Sequence, residues 1–239
     1  MAFTAADVKK LREMTGVGMM DCKKALTEAD GDFDKAIELL REKGLAKAAK
    51  KAGRIAAEGM VCAKVCAECG VAGIIEVNSE TDFVAKNADF QKFVSDLADV
   101  VIKDAPADVD ALKACQMGDM TVEAALQEKV LTIGENIQIR RFERYDANTV
   151  NVSYTHMGGV IGVLVALEVS ENLKGNATVL ELGKDIGMQA AAMNPSFMDK
   201  SDVDEATLAK EKEIPVSYTH LPMCWPPTWT ISKRQAMRP

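Results

Sequence analysis

The stretch "NADFQKFVSDLADVV", residues 87–101, does most to restrict the fold. Phe90, Phe93, Val94, Leu97 and Val101 fall at i, i+3, i+4, i+7 and i+11, one apolar stripe along a long helix. Such a face has to be covered by another element. The residues just upstream offer one. "EGMVCAKVCAECGVAGIIEVNSE", residues 58–80, places β-branched side chains at short range around a glycine-containing middle, which reads as a hairpin. Between hairpin and helix lies "NSETDFVAKN", a surface connection that carries Phe83 beside Asp82. Connections are normally polar because their backbone stays solvated, so a phenylalanine here needs an explanation.

The rest of the chain keeps strands and helices in separate runs. Helical stretches are expected over about 107–116 and 121–132, then three strands within 136–170, then helices over about 174–193 and 202–212. That order argues for an α+β fold with antiparallel strands rather than a βαβ wind. Ahead of it, residues 4–53 read as three short helices with a small core, marginal alone. Thr4 and Asp7 form a capping signal before Val8 and Leu11, and Ala25, Leu26 and Ala29 continue the apolar pattern. Asp32 caps a third helix whose face is Phe33, Ala36, Ile37 and Leu40, and Gly44 is expected to end it in a left-handed cap. An Ala- and Lys-rich short helix then runs into a linker.

Charge and composition narrow the function. Residues 1–54 carry 12 Lys+Arg against 9 Asp+Glu, and the remainder 17 against 27. With only 5% aromatics, a mildly basic segment on an acidic body does not describe a nucleic-acid binder. No run of about 18 apolar residues suggests a membrane span. The first residues lack a secretory signal pattern, and six cysteines in 239 residues are too few for a disulfide scaffold. A cytoplasmic protein is expected. Residues 214–239 differ from the rest: they hold both tryptophans, five of the seven prolines and a second copy of "VSYTH". They read as foreign sequence on a truncated chain, or as a disordered extension.

Three further positions invite a functional reading, each beside a plainer one. Met19 and Met20 follow the Gly-containing "TGVGMMD"; methionine suits an adaptable contact surface, but both fit a helix core equally well. The segment lacks the Gly-Lys pattern and preceding strand of a phosphate loop. His156 has no nucleophile or carboxylate motif around it and reads as a structural or contact histidine rather than a catalytic one. By periodicity alone Phe83 is either the start of the next helix's core or an exposed tip, and Asp82 either a turn residue or its polar companion.

Five stretches in order carry a family resemblance: "VKKLREMTGVGMMDCKKALTEADGDFDKAIELLREKG", "KAAKKAGRIAAEG", "EVNSETDFVAKN", "IGENIQIRR" and "SYTHMGGVIGVLV". Over residues 2–213 the chain resembles the bacterial elongation factor Ts family, guanine-nucleotide exchange factors of elongation factor Tu. The resemblance implies a ubiquitin-associated-like three-helix domain with linker over 1–54, a first core subdomain over 55–140, a partial second over 141–213, and a non-family tail over 214–239. It implies that Thr81, Asp82, Phe83 and Val84 dislodge Mg²⁺ from Tu, and that Met19 or Met20 and His156 make other contacts. The partner would be Tu in its GDP-bound and nucleotide-free forms, with no covalent chemistry, no cofactor, no direct nucleic-acid contact and no membrane. Family members usually continue into a coiled coil, so any dimer built on it is not expected of this chain. A non-catalytic adaptor acting through the helical domain is the alternative.

One motif competes. Cys62, Cys66 and Cys69 have a C-x3-C-x2-C spacing similar to that by which radical S-adenosylmethionine enzymes hold an iron–sulfur cluster. If residues 60–67 form a strand, Cys62 and Cys66 lie roughly 13 Å apart. The chain also lacks repeated βα units. Small buried hydrophobes in a hairpin are the expected reading.

Overall fold

A computed structural model describes residues 3–197 and 200–213. The first helix, α1 (Ala5–Thr15), starts at a complete capping box, in which the Thr4 hydroxyl accepts from Asp7 and the Asp7 carboxylate accepts from the Thr4 amide. It stops where Gly16 takes φ 67° and returns its N–H to the Arg12 carbonyl. Then α2 (Met19–Glu28) follows. Asp32 caps α3 (Phe33–Lys51) by accepting from the amides of Asp34 and Lys35. Leu11, Cys22, Ala25, Leu26, Ala36 and Leu40 close a small core between the three helices.

Gly44 does not end α3, contrary to the expectation from sequence: the helix runs through it to Lys51. The reason is tertiary. A Cβ at Gly44 would meet Leu131 at 3.3 Å, so the missing side chain lets two helices approach closely. Leu131 also packs against the three-helix core, which extends a core too small to be robust alone.

The chain continues as β1 (Glu58–Val65), β2 (Ala72–Ser79), the single-turn α4 (Asp82–Ala85), α5 (Ala88–Asp104), α6 (Val109–Ala114), β3 (Gln116–Met117), β4 (Met120–Thr121) and α7 (Val122–Ile133). After these come β5 (Gln138–Tyr145), β6 (Val150–His156), β7 (Ile161–Leu167), α8 (Ala177–Met193) and α9 (Glu205–Glu213). The tiny β3–β4 hairpin and the α4 turn are too short to carry a period and were not expected. Leu131 and Thr132 belong to α7, so the partner of Gly44 is that helix.

Antiparallel β1, β2 and β5 form one sheet with β2 in the centre, and β6 pairs with β7 in a second. All eight residues of β2 are buried, because both of its faces are covered. Ile75 and Val77 meet Phe90, Phe93, Val94, Leu97 and Val101, the apolar stripe of α5. On the other face Val61, Ala72 and Ile74 meet Leu164 of β7. The far side of the β6–β7 pair packs on α8 through Val152, Val163, Val165, Val179 and Ile186. The result is a helix–sheet–sheet–helix stack, an α+β fold. Glu76, 1% exposed in the central strand, is held by Arg141 at 2.6 Å and by Arg140 at 3.6 Å, as a buried carboxylate requires.

Glycines on α8 set the spacing of the outer layers. A Cβ on Gly183 would lie 2.5 Å from Val152 Cγ2, and one on Gly187 2.8 Å from Tyr154 Cβ. An exposed helical Gly→Ala change gains about 1 kcal/mol; at Gly183 the sign should reverse. Gly183→Ala is expected to cost about 1–3 kcal/mol by overpacking, read from urea denaturation. A gain would mean that α8 does not sit this close to β6.

Candidate functional site

The candidate site is the turn between β2 and α5, and it is built on one carboxylate. Helix α7 ends at Gly134 in the left-handed conformation, φ 86°, which swings Glu135 back toward the end of β2. Glu135 accepts from the amide of Glu80 at 3.1 Å, the amide of Thr81 at 3.0 Å and the hydroxyl of Thr81 at 2.7 Å. Glu80 reciprocates by accepting from the Asn136 amide at 2.6 Å. That bond, aided by Arg54, holds the Glu80 carboxyl below the usual carboxylate range. Asn136 in turn donates its side-chain amide to the Arg54 carbonyl at 2.8 Å. Three segments far apart in sequence are thereby tied at the base of the turn: residue 54, residues 80–81 and residues 135–136. Charge-assisted bonds of this kind are among the stronger ones.

Above this base α4 makes one helical turn. Val84 points inward at 7% exposure and joins the α5 core, whereas Phe83 beside it is 79% exposed. Asn87 closes the far end by accepting from the amides of Asp89 and Phe90, which caps α5. Gln91 of α5 donates to the Ala85 carbonyl at 3.1 Å. Asp82 is exposed and pairs with Lys86 at 2.6 Å, and this bond holds its carboxyl below the usual range. The turn is thus fixed by Glu135, Val84 and Asn87 while the Phe83 ring stays in solvent. The reading of Phe83 as a core residue is overturned.

Met19 and Met20 open α2 and are 42% and 65% exposed. The core reading fails for both, since Cys22, Ala25 and Leu26 take the inward face. His156 ends β6, exposed, with its Nδ1 3.0 Å from the Tyr154 hydroxyl and the two rings stacked at 6.0 Å. Beyond it, Met157 and Val160 are 72% and 44% exposed at the hairpin tip. The tip rests on the edge of β1: the Gly159 carbonyl accepts from the Val61 amide at 2.7 Å, and a Cβ on Gly159 would meet Met60 at 3.0 Å. Since Glu58 pairs with Ser79, the Phe83 turn and the His156 tip both lie at the start of β1. Met19 and Met20 stand on the three-helix unit, which α3 holds against α7.

Cys62, Cys66 and Cys69 do not come together as a set of three. Strand β1 ends at Val65, so Cys66 begins the hairpin turn instead of continuing the strand. Among the described residues no group of three His, Cys, Asp or Glu is placed to hold a metal ion. No helix among them is long and apolar enough to cross a membrane. The residues that sequence reasoning missed are Glu135, Asn136 and Arg54. Their only signal was membership of the stretches "IGENIQIRR" and "KAAKKAGRIAAEG".

Comparison with known proteins agrees with these stretches. The family model described as "Elongation factor TS" matches residues 80–234, and so reaches into the residues beyond 213. Elongation factor Ts of Clostridioides difficile strain 630 is 50% identical over 212 residues, 88% of this chain and 69% of the relative. That of Roseobacter denitrificans is 51% identical over 219 residues, 90% of this chain and 71% of the relative. That of Clostridium kluyveri strain NBRC 12016 is 53% identical over 215 residues, 88% and 69%.

Glu135→Ala removes three acceptor contacts and leaves two partly buried amides unpaired. It is expected to cost about 1–3 kcal/mol of stability, measured by urea denaturation. Amide exchange at Glu80 and Thr81 should accelerate more than exchange in α5, whereas unchanged protection of those two amides would show that Glu135 is not the clamp.

Proposed function

Because this chain belongs to the elongation factor Ts family, a family of translation elongation factors, we propose that it is a guanine-nucleotide exchange factor for elongation factor Tu. In this reading it binds Tu–GDP, displaces Mg²⁺ and promotes GDP release so that GTP can bind. The observation that carries the reading is Phe83, a large apolar side chain held in solvent by a turn fixed on both sides.

A nucleotide gripped through Mg²⁺ and its phosphates dissociates slowly. A second protein speeds release, with no covalent chemistry of its own, if it binds the nucleotide-free state better than the loaded one. Inserting Phe83 between elements of the GTPase would supply that difference. Burying the ring is worth roughly 2–3 kcal/mol, and a rigid mount spends little of this on ordering. Asp82, released from Lys86, would pair with groups displaced from the metal site. Thr81 holds the turn to Glu135 and Val84 anchors it from below. Met19 and Met20 on the helical unit, and His156 at the β6–β7 tip, would add separate contacts with Tu. The Mg²⁺ and the nucleotide belong to the partner, and the work takes place in the cytoplasm beside the translation machinery.

The test is release of a fluorescent GDP analogue from Tu. The chain should accelerate release catalytically, and Phe83→Ala should cut that acceleration by about tenfold to a hundredfold. Its own stability should stay unchanged, since the ring packs on little. Binding to Tu without any acceleration would favour the adaptor reading instead.

A further inference from the structure

The turn joining β1 to β2 lies at the opposite end of the hairpin from Phe83, about eight residues of strand or roughly 25 Å away. It holds the sequence Cys66-Ala67-Glu68-Cys69. The Gly70 amide donates to the Cys66 carbonyl at 2.9 Å, so the backbone makes one helical turn. Cys66 occupies its capping position, and its sulfur accepts the Cys69 amide at 3.3 Å. A capping sulfur is best matched to those N–H dipoles as a thiolate. Cα atoms three residues apart across such a turn lie within about 7 Å, a limit that overlaps the range of about 4.4–6.8 Å that a disulfide spans. Both thiols are free, Cys69 is exposed and Cys66 is partly so.

We propose that this turn is a thiol–disulfide exchange site, with Cys66 the attacking sulfur, Cys69 the resolving sulfur and low-molecular-weight disulfides the oxidant. The Cys66 thiolate attacks one sulfur of the small disulfide, forms a mixed disulfide and expels one small thiolate. Cys69, losing its proton to solvent, attacks the Cys66 sulfur and expels the second. Two protein thiols are oxidised to one disulfide, the small disulfide is reduced to two thiols, and the two protons released from the cysteines end on them.

The surroundings make the site selective. Hydrogen bonds from Cys69, side chain first and then backbone, lower the Cys66 pKa, whereas burial raises those of Cys22, Cys62 and Cys115. Cys62, four residues back on the extended strand, is too remote to resolve the mixed disulfide. The closed loop is so short that the bond adds little stability. It therefore suits reversible exchange rather than a structural staple.

Oxidised glutathione is the probe, and the full chain is the sample. Trypsin would release Val65–Lys86 with both cysteines and leave Cys62 on a different peptide. Treatment should make that peptide lighter by two hydrogens, reversibly with a reducing thiol. Cys69→Ser should instead accumulate glutathione on Cys66, and Cys66→Ser should slow modification of the peptide by about tenfold or more. Both positions lie in a surface turn, and circular dichroism would verify that each variant is folded. Glutathione reaching Cys115 or Cys62 as fast as Cys66 would overturn the proposal. So would a Cys69→Ser chain that captures no glutathione on Cys66.

Discussion

The Glu135 carboxylate holds together the parts of this molecule on which the proposed function rests. It lies 54–55 residues from the amides it accepts, and through Glu80, Asn136 and Arg54 the same cluster pins the exit from the three-helix unit. Lys51 at the end of α3 adds a bond to the Gly134 carbonyl. A one-turn helix such as α4 has no stability of its own. Its shape is imposed from outside: by Glu135 below, by Val84 in the core and by the Asn87 cap. That is how a solvent-facing phenylalanine is kept in one place.

The stack behind the turn supplies the rigidity. Strand β2 is buried along its whole length, with α5 on one face and β7 on the other, so the turn leaves a strand that cannot shift without breaking two cores. Close approach sets these layers as much as apolar area does. Gly162 leaves no room for a Cβ beside Val61, and Gly183 none beside Val152. The β6–β7 tip hydrogen-bonds the otherwise open edge of β1, which also protects an edge that could pair with another chain. Two exposed features, Phe83 and the tip carrying His156, thus share one strand as their support.

Much of this was legible in the residues. The stripe of α5, the hairpin before it, the Thr4–Asp7 box and the Asp32 cap are local patterns, and each formed as read. The failures were long-range. Gly44 carries a stop signal by local rules, but Leu131, 87 positions later, gave it a packing role inside the helix. Glu135 looked like any loop carboxylate, because nothing in its neighbourhood reveals partners at residues 80 and 81. Met19 and Met20 fitted a core or a surface equally well by spacing, and only the direction of the Cys22–Ala25–Leu26 face decided between them. Phe83 was undecided for the same reason: periodicity cannot tell whether a turn points inward.

In the proposed exchange activity Glu135 would act by presenting Phe83, so the two side chains should behave as one unit. A double-mutant cycle on catalysed GDP release from elongation factor Tu tests it most directly, using Phe83→Ala, Glu135→Ala and the two together. Each single change is expected to slow release, and Glu135→Ala to slow it far less in the Phe83→Ala background than in the unchanged chain, since the unanchored turn then has only Asp82 left to present. Losses that multiply would contradict it, because Glu135 and Phe83 would then act independently.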